Sequence, residues 1–392
     1  MKVDAVKDKV AIIGMGCTKF GEHWNNSAED MIIDAVDEAF KDAGISSDDI
    51  QAAWLGTMVT GFAGITLAMP LKLRNIPISR VENACATGMD ALRNASMAVA
   101  LGLYDVVLVA GVEKLKDSGL SGLPEFFNHP VYGQGFTAPG RWALAATRYF
   151  DINNISPEDG KKALGKISVK NHHNGTLSPK AHFQRAVALE QILRAPIIAW
   201  PLGLFDCCPT TDGAAAAIIC PADMASSFTQ DYALVKGFGL AMGPGLGKED
   251  FDYKYDHLPE TIAAGKQAYA AAGVKNPRKE ISCAQLHDCF SIAELLEYEA
   301  LGFSEPGKAI EDVEAGTFTL EGELPVNTDG GLKAFGHPIG ATGLRMCYEL
   351  YNQLLGKAGP RQIKNPTLGL AMAQGGHPGM LMPIVTILGS RD

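Results

Sequence analysis

Three short segments hold residues whose types and spacing suit nucleophilic chemistry on a carbonyl carbon. Asn83-Ala84-Cys85-Ala86-Thr87-Gly88-Met89 sets a cysteine among small residues at an expected strand-to-helix turn. A thiol there meets unpaired backbone N–H groups and the positive end of the helix dipole, which predicts a lowered pKa and a ready thiolate. Gln285-Leu286-His287-Asp288-Cys289-Phe290-Ser291 sets His287 and Cys289 in a turn after a strand, where carboxyl ends present side chains to a crevice. Asn327 to Gly343 brackets His337, followed by Pro338, with glycines at 330, 331, 336, 340 and 343, a pattern of tight turns and close backbone approach. Taken singly, each segment has a packing alternative: a cysteine among small neighbours, a hydrogen-bonded core histidine, a small buried thiol. No second pair at ligand spacing accompanies His287 and Cys289, so no metal is expected. The glycine-rich loop lacks the Gly-Lys-Ser/Thr ending of a phosphate loop, and Gly14-Met15-Gly16 lacks the third glycine of a dinucleotide site.

The elements that must carry these segments alternate between strand-like and helix-period runs. Val10 to Gly14 reads as a buried strand, and Ala28 to Ala43 has Met31, Ile32, Ala35, Val36, Ala39 and Phe40 at helical spacing before Gly44. A helix over Ala86 to Leu101 and a strand over Val106 to Ala110 follow. The order returns after residue 230: strand Tyr232 to Gly237, helix Leu258 to Ala272, strand Cys283 to Leu286, helix Gly340 to Leu355, strand Leu368 to Ala373. Ala86-Thr87-Gly88-Met89 and Ala341-Thr342-Gly343-Leu344 each open a helix, an echo that fits duplication. The pattern predicts an α/β fold in two halves, 1–230 with the Cys85 segment and 231–392 with the other two. Residues 115–205 form a loop and helix insertion rich in Pro, His and aromatic residues. Its basic residues (Lys161, Lys162, Lys166, Lys170, Lys180, Arg185, Arg194) are expected to make a solvated helix face, with a phosphate contact or lid as the alternative.

Composition narrows the classes. The chain has 392 residues, 47% hydrophobic and 20% charged, which excludes a disordered or fibrous protein. A net charge of −10 argues against a nucleic-acid or anionic-membrane surface, since both need a positive field. Eight cysteines without a Cys-x-x-Cys pair, and no signal-peptide layout, predict a cytoplasmic protein with reduced thiols. The apolar run near Met97 to Val112 is broken by Tyr104 and Asp105, so no membrane span is expected.

Together, the three segments and the N-terminal run Gly14-Met15-Gly16-Cys17-Thr18-Lys19-Phe20-Gly21 resemble the thiolase superfamily from about Val10 to Leu388. The His-Asp-Cys-Phe form, with Ser291 and Glu294-Leu295-Leu296 after it, is similar to sterol-carrier-protein-2-type and archaeal thiolases. The resemblance implies a duplicated, five-layered α/β/α/β/α fold, a homodimer or tetramer, no bound cofactor, and coenzyme A as substrate. It implies Cys85 as nucleophile and His337 as its base and a holder of the thioester oxygen. His287 becomes a second donor to that oxygen, and Cys289 the acid/base thiol. A second oxyanion site would use backbone N–H groups of Cys85 and near Gly375. The final glycine loop, Ala373-Gln374-Gly375-Gly376-His377-Pro378, lacks the Cys-x-Gly common there, which supports Cys289 in that role. His377 is read as a substrate contact or a structural residue, and Cys207-Cys208 as packing beside the Asp212-Gly213 turn.

The implied activity is cleavage or formation of a 3-ketoacyl-CoA, either acetoacetyl-CoA or a bulkier, aromatic one. Phe126, Phe127, Tyr132, Phe136, Trp142, Tyr149 and Phe150 are candidate pocket residues, with a core or dimer surface as the alternative. A synthase-type condensing enzyme would want a glutamate acid or a His-His pair, and a silent scaffold has no need of all four reactive residues. Relatives of this kind often assemble with a separate zinc-ribbon/OB-fold subunit, and this chain carries no ribbon motif.

Overall fold

In the computed structural model, which describes residues 5–119, 137–245 and 253–391, one nine-stranded sheet runs through the molecule. The first part of the chain supplies β1 (Val10–Cys17), β2 (Ala52–Gly56), β3 (Ile78–Val81), β4 (Val107–Glu113) and, after a small hairpin of β5 (Ile197–Ala199) and β6 (Leu202–Gly203), β7 (Gly213–Pro221). The rest supplies β8 (Ala233–Leu240), β9 (Cys283–Gln285), β10 (Leu368–Gly375) and β11 (Met382–Gly389). The order is β3-β2-β4-β7-β1-β8-β11-β10-β9. At the middle, β1 and β8 pair antiparallel through Ala11 with Leu234 and Ile12 with Ala233. Outward from this join, β1-β7-β4-β2 mirrors β8-β11-β10-β9, each run pairing twice antiparallel and then once parallel. The element order that repeats in the sequence is thus a repeat of topology.

The helices are α1 (Ala28–Ala43), α2 (Ile65–Leu71), α3 (Thr87–Ala100), α4 (Ala138–Ile152), α5 (Pro157–Thr176), α6 (Leu189–Arg194), α7 (Pro259–Ala272), α8 (Ser291–Ala300), α9 (Ala309–Glu314) and α10 (Ile339–Leu354), besides shorter turns. Helix α1 is fixed at both ends, by the Ser27–Asp30 capping box and by Gly44 at φ 71°. Alternation along β1 sends Ala11 and Ile13 into the core under α1, and Val10 and Ile12 into the core shared with Leu92 and Leu344 of α3 and α10. Helix α7 covers β8 and β11 from the far side. Between the two half-sheets, α3 and α10 lie together, α10 touching β4 and β7 as well as β9 and β10. These are the five layers the resemblance implied. The same close packing serves both halves: a Cβ on Gly16 of β1 would fall 2.0 Å from the Ala35 oxygen, and one on Gly239 of β8 would fall 1.8 Å from the Ala264 oxygen.

Two expectations change in three dimensions. Strand β4 runs past Ala110 to Glu113, because its buried carboxylate accepts N–H bonds from Met58, Val59 and Thr60 at 2.8–3.0 Å and so belongs inside. The basic residues of the insertion are largely not a free solvated face. Lys161 pairs with Asp206, Lys162 with Glu158, Lys166 with Glu314, Lys170 with Glu294 and Lys180 with Glu38. Trp142, Tyr149 and Phe150 are core residues, while Phe126, Phe127, Tyr132 and Phe136 lie outside the described residues. No helix among the described residues is long and apolar enough to cross a membrane.

The two central helices meet at their N-termini with almost no side chain between them. A Cβ on Gly88 would sit 2.4 Å from the Gly340 oxygen, one on Gly340 would sit 2.5 Å from the Gly56 oxygen, and one on Gly343 would sit 2.5 Å from the Met89 nitrogen. Glu113 ties the junction, accepting the Gly340 N–H at 3.1 Å while holding the 57–60 loop. Every clash is with backbone, which cannot rotate away. Gly340→Ala is therefore expected to lower stability by about 1–3 kcal/mol, the usual cost of overpacking. Gly21→Ala, whose nearest neighbour would be His23 Nε2 at 4.0 Å, should be close to neutral. Equal denaturation midpoints for the two variants would refute this packing argument.

Candidate active site

Each reactive segment ends up just before one of the central helices or at the end of a strand beside them. Cys85 lies in the turn between β3 and α3, preceded by Ala84 at φ 48°. That turn is closed by Ala86 N–H to Asn83 O at 3.0 Å and by Asn83 N–H to Thr87 Oγ1 at 2.8 Å. Gly375, the last residue of β10, presses on it: a Cβ there would be 2.6 Å from Ala84 Cβ and 2.8 Å from Asn83 O. His337 precedes α10, and Gly336 before it, at φ 115°, backs onto Thr211. His287 and Cys289 occupy the turn from β9 to α8.

Cys85, His287 and His337, 50 to 252 positions apart in the chain, converge. Cys85 Sγ and one ring nitrogen each of His287 and His337 all lie within 4.8 Å of one another. The two imidazoles stand edge to face, with centroids 5.1 Å apart. Cys289 is close enough to Cys85 and Cys208 to feel their charge, and its carbonyl accepts the Cys208 N–H at 2.9 Å.

Hydrogen bonding fixes the tautomer of His337. Thr342 Oγ1 donates to the Pro338 carbonyl at 2.9 Å, so toward His337 Nδ1, 2.8 Å away, it can only accept. Nδ1 therefore carries the proton, and Nε2 presents a lone pair with no partner in a buried position. Burial, helped by the Arg345 guanidinium, pushes the His337 pKa down to about 3, so the ring is neutral near pH 7. Burial, then His337 and Arg345, likewise hold His287 well below the ordinary imidazole value.

The thiols do not behave as the helix position predicted. Burial, then the Glu113 and Glu82 carboxylates, pushes Cys85 up to about 12. Among the described residues no cation offsets this, and the helix proper begins only at Thr87, so the dipole does not make a resting thiolate. Cys289 is raised well above its ordinary value, first by burial and then by Cys208, Glu297 and Cys85. The site is a neutral thiol beside a neutral base, a pair that exchanges a proton only when a reaction stabilises the product charges.

Several contributors escaped sequence reasoning. Asp288 sits within the quoted motif, yet its work is seen only in space. It accepts from Leu332 N at 2.6 Å, Lys333 N at 3.1 Å and Asn171 Nδ2 at 2.7 Å, tying the Cys289 turn to the loop that carries His337. Arg345 is wholly buried, paired with Asp329 at 2.8 Å and bonded to Gln285 Oε1 at 2.8 Å. Glu297, whose pKa is raised by burial and then by the neighbouring Glu294 and Asp288 carboxylates, accepts Gln374 Nε2 at 2.7 Å and so steadies the Gly375 loop. Cys207 and Cys208 pack against the main core, as expected, and also wall a cavity of about 350 Å³ with Phe183, Arg185, Phe205 and Lys333. Burial of the preceding Asp206 against Lys161 and Ser291 turns both cysteines toward that space. His377 is buried, with Nδ1 on the Pro378 carbonyl at 3.2 Å and Nε2 facing Arg141 Nη1 of α4.

Two pH effects follow from this electrostatics. Alkylation of Cys85 by iodoacetamide should accelerate about tenfold per pH unit from 6 to 9 without levelling, as expected of a thiol titrating far above that range. A plateau below pH 8 would mean a resting thiolate. Unfolding frees His337 to take a proton at its ordinary value of 6.5 rather than about 3, so its share of stability is complete above 6.5 and falls away as pH drops toward 3. His337→Gln should flatten the acid limb of stability against pH by up to about one proton.

Comparison with known proteins bears on this geometry. Residues 10–223 match the family model described as "Thiolase, N-terminal domain", and residues 256–390 match "Thiolase C-terminal domain-like". An acetyl-CoA acetyltransferase of Methanothermobacter thermautotrophicus is 38% identical over 94% of this chain and 97% of its own length. Sterol carrier protein 2 of Gallus gallus is 33% identical over 91% of this chain and 67% of its own. Among solved structures, "Ltp2-ChsH2(DUF35) aldolase" superposes with a TM-score of 0.86 at 27% identity, covering 98% of both chains. Human mitochondrial 3-ketoacyl-CoA thiolase, at 16% identity and a TM-score of 0.71 over 98% of this chain and 99% of its own, shares the fold. With both family domains matched in order across most of its length, the chain belongs to the thiolase superfamily and is an acyltransferase of the thiolase class.

Proposed function

We propose that this thiolase cleaves a 3-ketoacyl-CoA with coenzyme A, or forms one in reverse, through an acyl-enzyme on Cys85. The observation that carries the reading is the placement of Cys85 Sγ within 4.8 Å of ring nitrogens of His287 and His337. His337 Nε2 takes the Cys85 proton as sulfur bonds to C3 of the substrate, and the C2–C3 bond breaks. The electron pair passes to the enolate of the departing thioester, whose oxygen is held by the His337 imidazolium and by His287. Cys289 protonates C2 and becomes a thiolate, and acetyl-CoA leaves while the shortened acyl group stays on Cys85. The Cys289 thiolate then takes the coenzyme A thiol proton, the new thiolate attacks the acyl group, and Cys85 recovers its proton from His337. The acyl oxyanion is received by the N–H of Cys85 and one near Gly375.

Coenzyme A is a substrate here and not a resident cofactor. Arg185, exposed at the cavity walled by Cys207 and Cys208 and with no ion-pair partner among the described residues, suits a phosphate, and the Cys208 N–H on the Cys289 carbonyl ties that wall to the Cys289 turn. Acetoacetyl-CoA is the first substrate to try and an aromatic 3-ketoacyl-CoA the second, since Phe183 and Phe205 offer ring faces. His377, turned onto Arg141, is assigned a structural part in the final loop. The halves divide near residue 230, each with its own copy of the topology. A homodimer in the cytoplasm is favoured by edge strand β3, beside which Phe62, Ile65 and Met69 are 80%, 50% and 69% exposed. A zinc-ribbon/OB-fold partner is favoured by the solved neighbour Ltp2-ChsH2(DUF35) aldolase, in which Ltp2 is paired with a second protein.

A panel of 3-ketoacyl-CoA esters, assayed with and without any co-encoded zinc-ribbon protein, tests substrate and partner together. Cys85→Ser should lose the acyl mass adduct, and an adduct that persists moves the nucleophile elsewhere. His337→Asn should slow acylation by ~10²–10⁴-fold. Cys289→Ala should still acylate but lose solvent deuterium exchange at the acetyl-CoA methyl; full exchange would remove Cys289 from proton transfer.

A further inference from the structure

The catalytic cleft also has the donors of a soft-metal site. His337 Nε2 and His287 Nδ1 both lack a hydrogen-bond partner, on rings 0% and 1% exposed. With Cys85 Sγ, one nitrogen of each ring completes a set of three ligand atoms within 4.8 Å. A tetrahedral zinc ion, with Zn–S near ~2.3 Å and Zn–N near ~2.0–2.1 Å, places its ligands ~3.3–3.6 Å apart. Closing the remaining gap takes about an ångström, within the reach of a χ1 rotation of half-buried Cys85. His337 presents a free Nε2 lone pair, and a neutral imidazole such as His287 can move its proton to the other ring nitrogen and so present one as metal ligation requires. The Glu82 and Glu113 carboxylates that act on Cys85 supply negative charge behind it.

We propose that Cys85, His287 and His337 form a reversible inhibitory site for a soft divalent cation, with zinc as the fitting ion and the fourth position open to solvent or an incoming thiol. On binding, the Cys85 thiol proton passes to solvent, sulfur and two imidazole nitrogens coordinate, and no redox change occurs. The ion occupies the nucleophile and its base at once, so turnover stops until it is removed. Metal binding needs only this geometry and is independent of the acyl-enzyme route, whereas the inhibition rests on the proposed roles of Cys85 and His337.

The test reads metal binding without substrate. Protein treated with chelator and exchanged into clean buffer is titrated calorimetrically with Zn²⁺, and with Co²⁺ while the near-ultraviolet thiolate-to-cobalt band is followed. One ion per chain and a cobalt–thiolate band are expected. Cys85→Ala should abolish the band, and His337→Asn should weaken binding by more than the about 10–100-fold typical of losing even an outer-shell partner. Cys347→Ser, a change inside α10 and away from the site, should bind as the parent does. Thermal unfolding confirms that each variant is folded. Absence of the band in the parent, or equal Zn²⁺ affinity in Cys85→Ala, overturns the proposal. Inhibition by stoichiometric Zn²⁺ and recovery with EDTA then tie occupancy to turnover, and a band without inhibition refutes the inhibitory role.

Discussion

The backbone of Gly340 occupies the space that a side chain on Gly88 or Gly111 would fill, and the chemistry of the molecule depends on that contact. Cys85 stands two residues before α3 and His337 two residues before α10, so the separation of thiol and imidazole is inherited from the crossing of these helices. A methyl group at the crossing would push against carbonyl oxygens of β2 and β4, which the sheet holds rigid. Glu113 reinforces the junction from the first half by accepting an N–H at the start of the α10 helix, where a carboxylate also suits the dipole. Cys85 and His337 come from different halves of the chain, and they meet only because the halves share one central layer.

Dryness governs the electrostatics of that site. Burial raises both thiols and lowers both imidazoles, so the resting state is uncharged at its centre, with Arg345 and Asp329 a compensated pair behind it. An uncharged cleft admits a thioester without displacing a counterion, and the charges formed in the reaction meet oriented donors with little water to screen them. Thr342 does for His337 what a carboxylate does in other catalytic pairs: by giving its own proton to Pro338, it keeps the imidazole in the tautomer whose lone pair faces the thiol. Asp288 and Glu297 spend their hydrogen-bonding capacity on loops, holding the Cys289 turn, the His337 loop and the Gly375 loop in register.

Much of this was legible in the chain. Helix α1 has the predicted bounds, and α3, α7 and α10 begin and end within one residue of expectation, because each has an identifiable stop. The segments around Cys85, His287, Cys289 and His337 were recognisable since close backbone approach demands small residues at fixed spacing. Less legible were the roles of Thr342, Arg345 and Glu297, whose partners lie far away or across a helix turn and leave no local pattern. Cys207 and Cys208 were legible as packing, but the cavity they also wall was not, since its lining comes from several separate segments of the chain.

By itself, the sequence determined the kind of fold, its doubling, and the four side chains capable of reacting, since these follow from local periodicity and residue chemistry. Tertiary structure alone decided that the thiol rests protonated, which nitrogen of His337 is free, and that a cavity opens beside Cys289. Those outcomes are set by desolvation and by the direction of single hydrogen bonds, both sums over neighbours that are remote along the chain.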